Sequence, residues 1–188
     1  MVKKRCDWCL GNDVYIKYHD TEWGVPVHDD REHFEFLVLE SAQAGLSWLT
    51  ILNRRAHYRR LYDNFDPIKV ANYTSGRVDA MLQDPGIIRN RKKIESSISN
   101  AQRFLDTVHE FGSFDQYIWG FTDGKVIVNK WKKTSDLPAN SPLSDRITSD
   151  MKKRGFTFLG TTILYAHLQS IGVINDHLVD CFRYEELK

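Results

Sequence analysis

The chain has 188 residues, with 26 Lys and Arg against 25 Asp and Glu, a net charge of +1 and 41% hydrophobic residues. That length suits one domain with a proper core, and the near-neutral balance excludes the strongly basic composition of a dedicated nucleic-acid binder. No apolar run is long enough to span a membrane, and the start Met-Val-Lys-Lys-Arg-Cys-Asp-Trp leads into no signal-peptide apolar stretch, so the three cysteines are expected in a reducing cytoplasm, without disulfides.

The hydrophobic pattern predicts a nearly all-helical chain. Phe34, Leu37, Val38 and Ser41 recur at helical spacing from Arg31 to Gln43, closed near Gly45. Ser47 is placed to cap a second helix running through Leu49, Leu52, Ala56 and Leu61. Asp66-Pro67 combines a capping side chain with proline at the first helical position. Ser75 opens a short helix to Leu82, and Asp84-Pro85-Gly86 breaks it. Ile94, Ile98, Ala101, Leu105 and Val108 mark a long amphipathic helix ending at Gly112, after which Ser113 caps a helix carrying Tyr117, Ile118 and Phe121. Asp123-Gly124 with Val126-Ile127-Val128 predicts a turn and a short extended piece, and 132–142, with Pro138 and Pro142, a loop.

A helix from about Ser144 to Arg154 then ends at Gly155, and a second starts at Thr161 and runs through Leu164, Leu168 and Ile171. Gly160 at its entrance leaves backbone N–H groups bare, a ready anion site where a DNA phosphate can dock with no base being read. An ordinary helical hairpin closed by two glycines fits the same residues. Charge is unevenly spread: residues 1–50 carry five Lys/Arg and nine Asp/Glu, or −4, which leaves +5 for the remainder. Arg89, Arg91, Lys92, Lys93 and Arg103 form one cluster and Lys152, Lys153 and Arg154 another. Such clusters can neutralise phosphates, although most are solvated helix faces.

Two pairs of metal-ligand residues stand at opposite ends of the chain. Cys6 and His19 are separated by twelve residues, His177 and Cys181 by three. The latter spacing puts both side chains on one face of a helix, where they can reach one ion. Two thiolates and two imidazoles complete a closed tetrahedral zinc site with no open position for substrate. Cys6-Asp7-Trp8-Cys9 is itself a zinc or redox spacing, so a site built from Cys6, Cys9, Cys181 and one His stands as a variant. A hydrogen-bonded helix histidine is the plain reading of His177.

Glu40 falls late in a helix whose neighbouring turns are apolar, a costly place for an ionised carboxylate unless it binds something. Trp23, Trp48, Tyr18 and Trp8 are available to wall a slot around it. Aromatic faces with one carboxylate suit a flat, cationic heterocycle, because cation–π contacts add about 0.5–2 kcal/mol each and a charged acceptor strengthens hydrogen bonds. The opposing reading makes these aromatics core and pairs Glu40 with an arginine.

Five blocks then carry a resemblance that runs through essentially the whole chain. Tyr15-Ile-Lys-Tyr18-His19-Asp20-Thr-Glu22-Trp23-Gly24-Val25-Pro26, Leu39-Glu40-Ser-Ala-Gln43-Ala-Gly45-Leu46-Ser47-Trp48-Leu-Thr50, Gly86-Ile-Ile-Arg89-Asn-Arg91, Lys153-Arg154-Gly155-Phe156-Thr-Phe158-Leu-Gly160-Thr161-Thr162 and Asn175-Asp176-His177 resemble the 3-methyladenine DNA glycosylase I family of the helix-hairpin-helix DNA glycosylase superfamily. The resemblance implies an all-α fold forming a single domain over 1–188, with the helix-hairpin-helix at 144–171. It implies one structural zinc on Cys6, His19, His177 and Cys181 that ties segments 1–25 and 173–188 together, which demotes Cys9. The sequence departs from the family at Asp13, where proline is usual, read here as a local loop change.

The implied activity is hydrolysis of the N-glycosidic bond of N3-methyladenine in alkylated double-stranded DNA, by a monomer in the cytoplasm. Alkylation at N3 puts positive charge on the base and makes it a good leaving group, so little general-acid power is needed. The enzyme must extrude the nucleotide, at an unstacking cost of a few kcal/mol, and hold the base. Trp8, Tyr15, Tyr18, Trp23 and Trp48 are the expected base-binding residues. Glu40 is the expected catalytic group, hydrogen-bonding the base edge and favouring the cationic, dissociating state over neutral adenine. Gly45 and Leu46 are candidates to press into the gap left by the extruded nucleotide, and Gly155, Gly160 and Thr161 to hold the DNA backbone. Asp176 is a competing carboxylate, weighted lower because it adjoins His177. Nothing resembles a lyase lysine, which implies a monofunctional enzyme. The rivals are a non-catalytic, zinc-stapled DNA-binding module and a small-molecule hydrolase with an open zinc.

Overall fold

Capping side chains set most helix boundaries in the computed structural model, which describes residues 3–188. Asn12 accepts from the backbone N–H groups of Val14 and Tyr15 and starts α1 (Asp13–Thr21). The predicted loop at Asn12-Asp13 is therefore a capped helix start, with Asp13 at the favourable positive end of the helix dipole. Asp29 caps α2 (Asp30–Gln43) in the same way. Ser47 caps as expected, but the predicted single helix divides into α3 (Trp48–Leu52) and α4 (Arg55–Leu61). The division falls where Arg54 N–H bonds Ile51 O at 2.9 Å, a tightened turn that interrupts the ladder.

Asp66 caps α5 (Pro67–Ala71), with proline in its first turn, and Thr74 caps α6 (Ser75–Met81). Asn90 caps α7 (Arg91–Phe111), which stops at Gly112 with φ +89°, and Ser113 caps α8 (Phe114–Gly120). Helix α9 (Pro142–Lys153) starts earlier than predicted, because Ser141 and Ser144 form a reciprocal capping box around Pro142. Proline there lacks only an N–H that the first turn could not use, so it starts the helix rather than marking a loop. Gly155 then turns the chain at φ +90°, a conformation that favours glycine, and α10 (Thr161–Ser170) follows.

The extended piece exists as β1 (Ile127–Val128), paired in parallel with β2 (Ile174–Asn175), and α11 (Phe182–Glu186) ends the order of elements. That small ladder brings 129–137 beside the chain that follows β2, where Val179 N–H bonds Trp131 O at 2.9 Å. Helix α2 lies at the centre, packed against α3, α7, α8 and α10. Every residue from His33 to Ala42 is buried, so the helix carries polar groups into the core as well as Phe34, Leu37 and Leu39. None of the described helices is long and apolar enough to cross a membrane.

One buried polar group has a consequence for stability. His167 on α10 is 0% exposed, neither ring nitrogen has a partner, and burial holds its imidazole down to about 3. The unfolded chain binds this proton from about pH 6.5 downward while the folded chain does not. Stability is therefore complete above pH 6.5 and is lost as pH falls toward 3. Between pH 7 and pH 4 the group removes about 3 kcal/mol. Urea unfolding at the two pH values is expected to show a much smaller acid loss in His167→Leu than in the native chain. Equal losses in both would rule out His167 as the cause.

Candidate active site

Residues of α1, α2, α3 and α10 line one cavity. Its volume is about 260 Å³, and it is lined by Trp8, Tyr15, Tyr18, Trp23, Glu40 and Trp48 among others. The five side chains expected to bind the base and the Glu40 carboxyl expected to favour its departure therefore line the same space. Trp8 meets Tyr15 edge-on at 5.5 Å between centroids and Trp23 at 5.0 Å, while Tyr18 and Trp48 are 5.7 Å apart. Such pairings fix ring orientation and keep aromatic faces available. The indole Nε1–H of Trp48 is buried without a partner, an arrangement that costs free energy unless something in the cavity accepts it.

Two glutamates of α2 are buried, and their environments are opposite. Glu35 is held by Arg55 at 2.5 Å and by Arg59 at 3.0 Å. Arg55 also pairs with Glu22. Glu40, 2% exposed, has no guanidinium beside it among the described residues; the Ser170 hydroxyl donates to its Oε1 at 2.9 Å, and Tyr18 OH donates to Ser170 Oγ at 3.0 Å. The arginine pairing weighed from sequence thus belongs to Glu35 and not to Glu40. Burial pushes the Glu40 carboxyl up to about 8, against a smaller opposing effect of Ser170. Without a cation in the cavity, burial therefore favours the protonated form of Glu40 over the ionised one.

Asp176 lies outside the cavity lining. It is 1% exposed and accepts four hydrogen bonds, from Asn129 at 2.7 Å, Trp131 at 2.7 Å, Tyr165 at 2.5 Å and Gln169 at 2.7 Å. A carboxylate so occupied orients the wall rather than attacking anything. Sequence reasoning missed Gln43, Thr134, Leu137, Ala166, Gln169 and Ser170 as lining residues. Thr134 and Leu137 reach the cavity only because β1 pairs with β2, a long-range contact with no local signal.

Gly45 and Leu46 form the turn after α2, next to cavity residues Gln43 and Trp48. Gly45 has φ +79°, and Leu46 is 41% exposed. In the α9–α10 connection, Gly160 starts α10 with no side-chain cap, leaving first-turn N–H groups to an external acceptor. The Thr161 hydroxyl, by contrast, donates to Asp145 at 2.6 Å, so what Thr161 can offer an anion is its backbone N–H. Among the basic clusters, Arg91 pairs with Asp79 and Glu95, Arg103 with Asp106, and Arg154 with Glu110 and Asp150.

Cys6, His19, His177 and Cys181 form a separate, fully buried cluster whose ligand atoms lie within 4.8 Å of one another. His177 and Cys181 are not on a helix: α11 begins only at Phe182, and the two residues are joined by a turn in which Cys181 N–H bonds Leu178 O at 2.8 Å. The expected convergence is met, but a turn produces it. A four-coordinate ion about 2.3 Å from sulfur and about 2.0–2.1 Å from nitrogen has ligand–ligand edges of roughly 3.3–3.8 Å. The observed edges are 3.7 Å for Cys6 Sγ to His177 Nδ1, 3.4 Å for Cys181 Sγ to His19 Nε2 and 3.5 Å for Cys181 Sγ to His177 Nδ1. The outer nitrogens are engaged, His19 Nδ1 with Asp20 at 2.9 Å and His177 Nε2 with the Trp23 carbonyl at 3.0 Å. This fixes the tautomers that turn the lone pairs inward, where the one on His19 Nε2 accepts only a long contact of 3.4 Å from the Cys6 N–H. A hydrogen bond shared with Cys6 holds the Cys181 thiol far below its ordinary range, while the same pairing and burial raise Cys6. Cys9 is excluded from the cluster, because its Sγ donates to the Cys6 carbonyl at 3.1 Å. The residues fit a tetrahedral metal ion.

The cluster also backs the cavity. The His177 ring lies 4.5 Å from Trp23, and the His19 ring 5.5 Å from Trp8.

A family model described as methyladenine glycosylase matches residues 8–184. DNA-3-methyladenine glycosylase 1 of Escherichia coli strain K12 is 42% identical over 181 residues, 96% of this chain and 97% of that protein. A crystal structure of 3-methyladenine DNA glycosylase I superposes with a TM-score of 0.91 at 44% identity, covering 95% of this chain and 98% of the other. A variant of 3-methyladenine DNA glycosylase I crystallised in complex with 3-methyladenine superposes with a TM-score of 0.92 at 34% identity, covering 96% and 97% of the two chains.

Proposed function

This chain belongs to the methyladenine glycosylase family, and from that premise we propose that it is a monofunctional DNA-3-methyladenine glycosylase of base-excision repair. It acts as a cytoplasmic monomer on double-stranded DNA containing alkylated bases. The protein is a single helix-hairpin-helix domain over 1–188, with the hairpin within 144–171 touching the DNA backbone through Gly155, Gly160 and Thr161. Zinc is the ion for Cys6, His19, His177 and Cys181, and four protein ligands leave it a structural tie between 1–25 and 173–188.

The observation that carries the reading is Glu40, buried among aromatic rings and matched by no cation of its own. A non-catalytic phosphate binder has no use for such a group. The extruded N3-methyladenine brings the missing positive charge, so its arrival favours ionisation of Glu40. Trp8, Tyr15, Tyr18, Trp23 and Trp48 frame the ring, and Leu46 with Gly45 occupies the space left in the duplex. The bond from the base nitrogen to C1′ breaks with its electron pair leaving on the base, which departs neutral. Water adds to C1′ and releases a proton.

Release of N3-methyladenine from methylated duplex DNA is the direct test, and its pH dependence checks the role of Glu40. The carboxylate is the competent form, and burial raises its titration to about 8. Below that pH kcat/KM is expected to rise about tenfold per pH unit, and above it to level off. A profile flat from pH 6 to 9 would show that Glu40 ionisation does not govern the reaction.

A further inference from the structure

The sequence concentrates Arg91, Lys92 and Lys93 in the first turn of α7, which contains no acidic residue. Cations there face the positive end of the helix dipole, so the local pattern runs against electrostatics and calls for another reason. Arg91 finds it in Asp79 and Glu95. Lys93 turns instead to α2, where its Nζ donates to the Ala42 carbonyl at 2.9 Å and to the Ala44 carbonyl at 2.7 Å. Those carbonyls stand at the negative end of α2, among the acceptors that a helix terminus leaves unpartnered. Burial lowers the Lys93 pKa, so keeping an ammonium there costs free energy that the α2 terminus must offset.

The two carbonyls bracket Gln43, a cavity residue, and lie just before the Gly45–Leu46 turn. In that turn Leu46 N–H bonds Gln43 O at 2.6 Å, and the Leu46 side chain projects 41% exposed. A glycine turn is the loosest kind of chain, and ordering it during extrusion would consume free energy. We propose that Lys93 is a positioning residue for nucleotide extrusion: its ammonium fixes Ala42–Leu46 so that Leu46 stands ready at the cavity mouth, and it touches neither the base nor a phosphate. This rests on reading the cavity as the site of an extruded base.

Lys93→Met keeps the aliphatic stem and removes the ammonium. Single-turnover release of N3-methyladenine is measured from a duplex and from the same strand alone, which needs no wedge. Duplex excision is expected to fall about tenfold, with single-strand excision and the salt dependence of duplex binding unchanged. Lys93→Arg, which keeps charge and donors on a similar stem, is expected to retain duplex excision, and thermal melting checks that both variants fold. Equal losses on both substrates would make Lys93 a general support of the cavity and overturn the proposal, as would an unaltered duplex rate. A salt slope reduced by about one marks a lost phosphate contact and also overturns it. No release from either substrate by the native chain would refute the glycosylase reading, and this inference with it.

Discussion

Glu40→Gln is expected to excise N3-methyladenine about 10²–10³-fold more slowly than the native chain, the loss typical of removing one preorganised charge-stabilising group, and to be the more stable protein. Both outcomes follow from one placement. The carboxyl is buried with only the Ser170 hydroxyl donating to it, so its charge is uncompensated until a cationic base arrives. The amide keeps the shape and a hydrogen bond but offers no charge, and the distinction between N3-methyladenine and neutral adenine is lost with it. The sign of the stability change follows from the folded-state shift to about 8. Folded Glu40 holds a proton that the unfolded chain releases above about pH 4.5. The native chain therefore loses stability as pH rises from about 4.5 to 8, by about 4–5 kcal/mol in all, and no further above that. At pH 5 the native chain and Glu40→Gln should melt almost together, and at pH 9 the variant should melt roughly 10 °C higher. Calorimetry at both pH values with single-turnover excision separates the cases. A variant that is slow because it is unfolded would show the opposite melting shift, and one that keeps the native rate would remove Glu40 from the mechanism.

That trade of stability for a charge was partly visible in the sequence, and what was visible has a physical pattern. Glu40 stood out because a carboxylate amid apolar helical turns violates a local rule, whereas Glu35 on the same helix looks similar but is neutralised by Arg55 and Arg59 from α4. Only tertiary packing distinguishes the two. The Trp and Tyr residues of the cavity were legible as residue types near Glu40, but Thr134 and Leu137 were not, since they arrive through the β1–β2 pairing. The capped, strongly amphipathic α7 was readable, and so was the capped α2, although it is buried on every side from His33 to Ala42. The start of α1 was not, because Asn12 was read as loop chemistry when it was serving as a cap. Pro142 misled in the same way, its ring being as compatible with a first helical turn as with a loop. Lys93 carried a signal in the wrong-signed charge at a helix start, but its partners are backbone carbonyls, which no side-chain pattern announces.

Cys6, His19, His177 and Cys181 converge as the sequence suggests, but through a turn rather than a helix, and disrupting that cluster is expected to have the second large effect. If the proposed zinc is present, Cys181→Ser should lose it and melt about 10 °C lower, the shift that a loss of about 4 kcal/mol produces in a chain of this size. The four ligands come from the first nineteen and last twelve residues, so without an ion little else ties the termini. Among the described residues, Lys4 with Asp180, Phe182 N–H on the Lys4 carbonyl at 2.9 Å and the Lys3 ammonium over the Phe182 ring at 4.2 Å are the kind of link that remains. Exposed pairs of this kind contribute only about 0–1 kcal/mol each. The loss should also reach the cavity, because His177 packs on Trp23 at 4.5 Å and accepts its position from the Trp23 carbonyl, while His19 packs on Trp8 at 5.5 Å. Excision is therefore expected to fall along with stability, even though the cluster lies outside the cavity lining, and quenching of tryptophan fluorescence by free 3-methyladenine should weaken in parallel. Cys9→Ser supplies the control: its thiol only donates to the Cys6 carbonyl, so one zinc per chain and the native rate should persist. Native melting and excision in a zinc-free Cys181→Ser protein would mean that the four side chains pack as an ordinary buried polar cluster and that no ion holds the two ends of the chain.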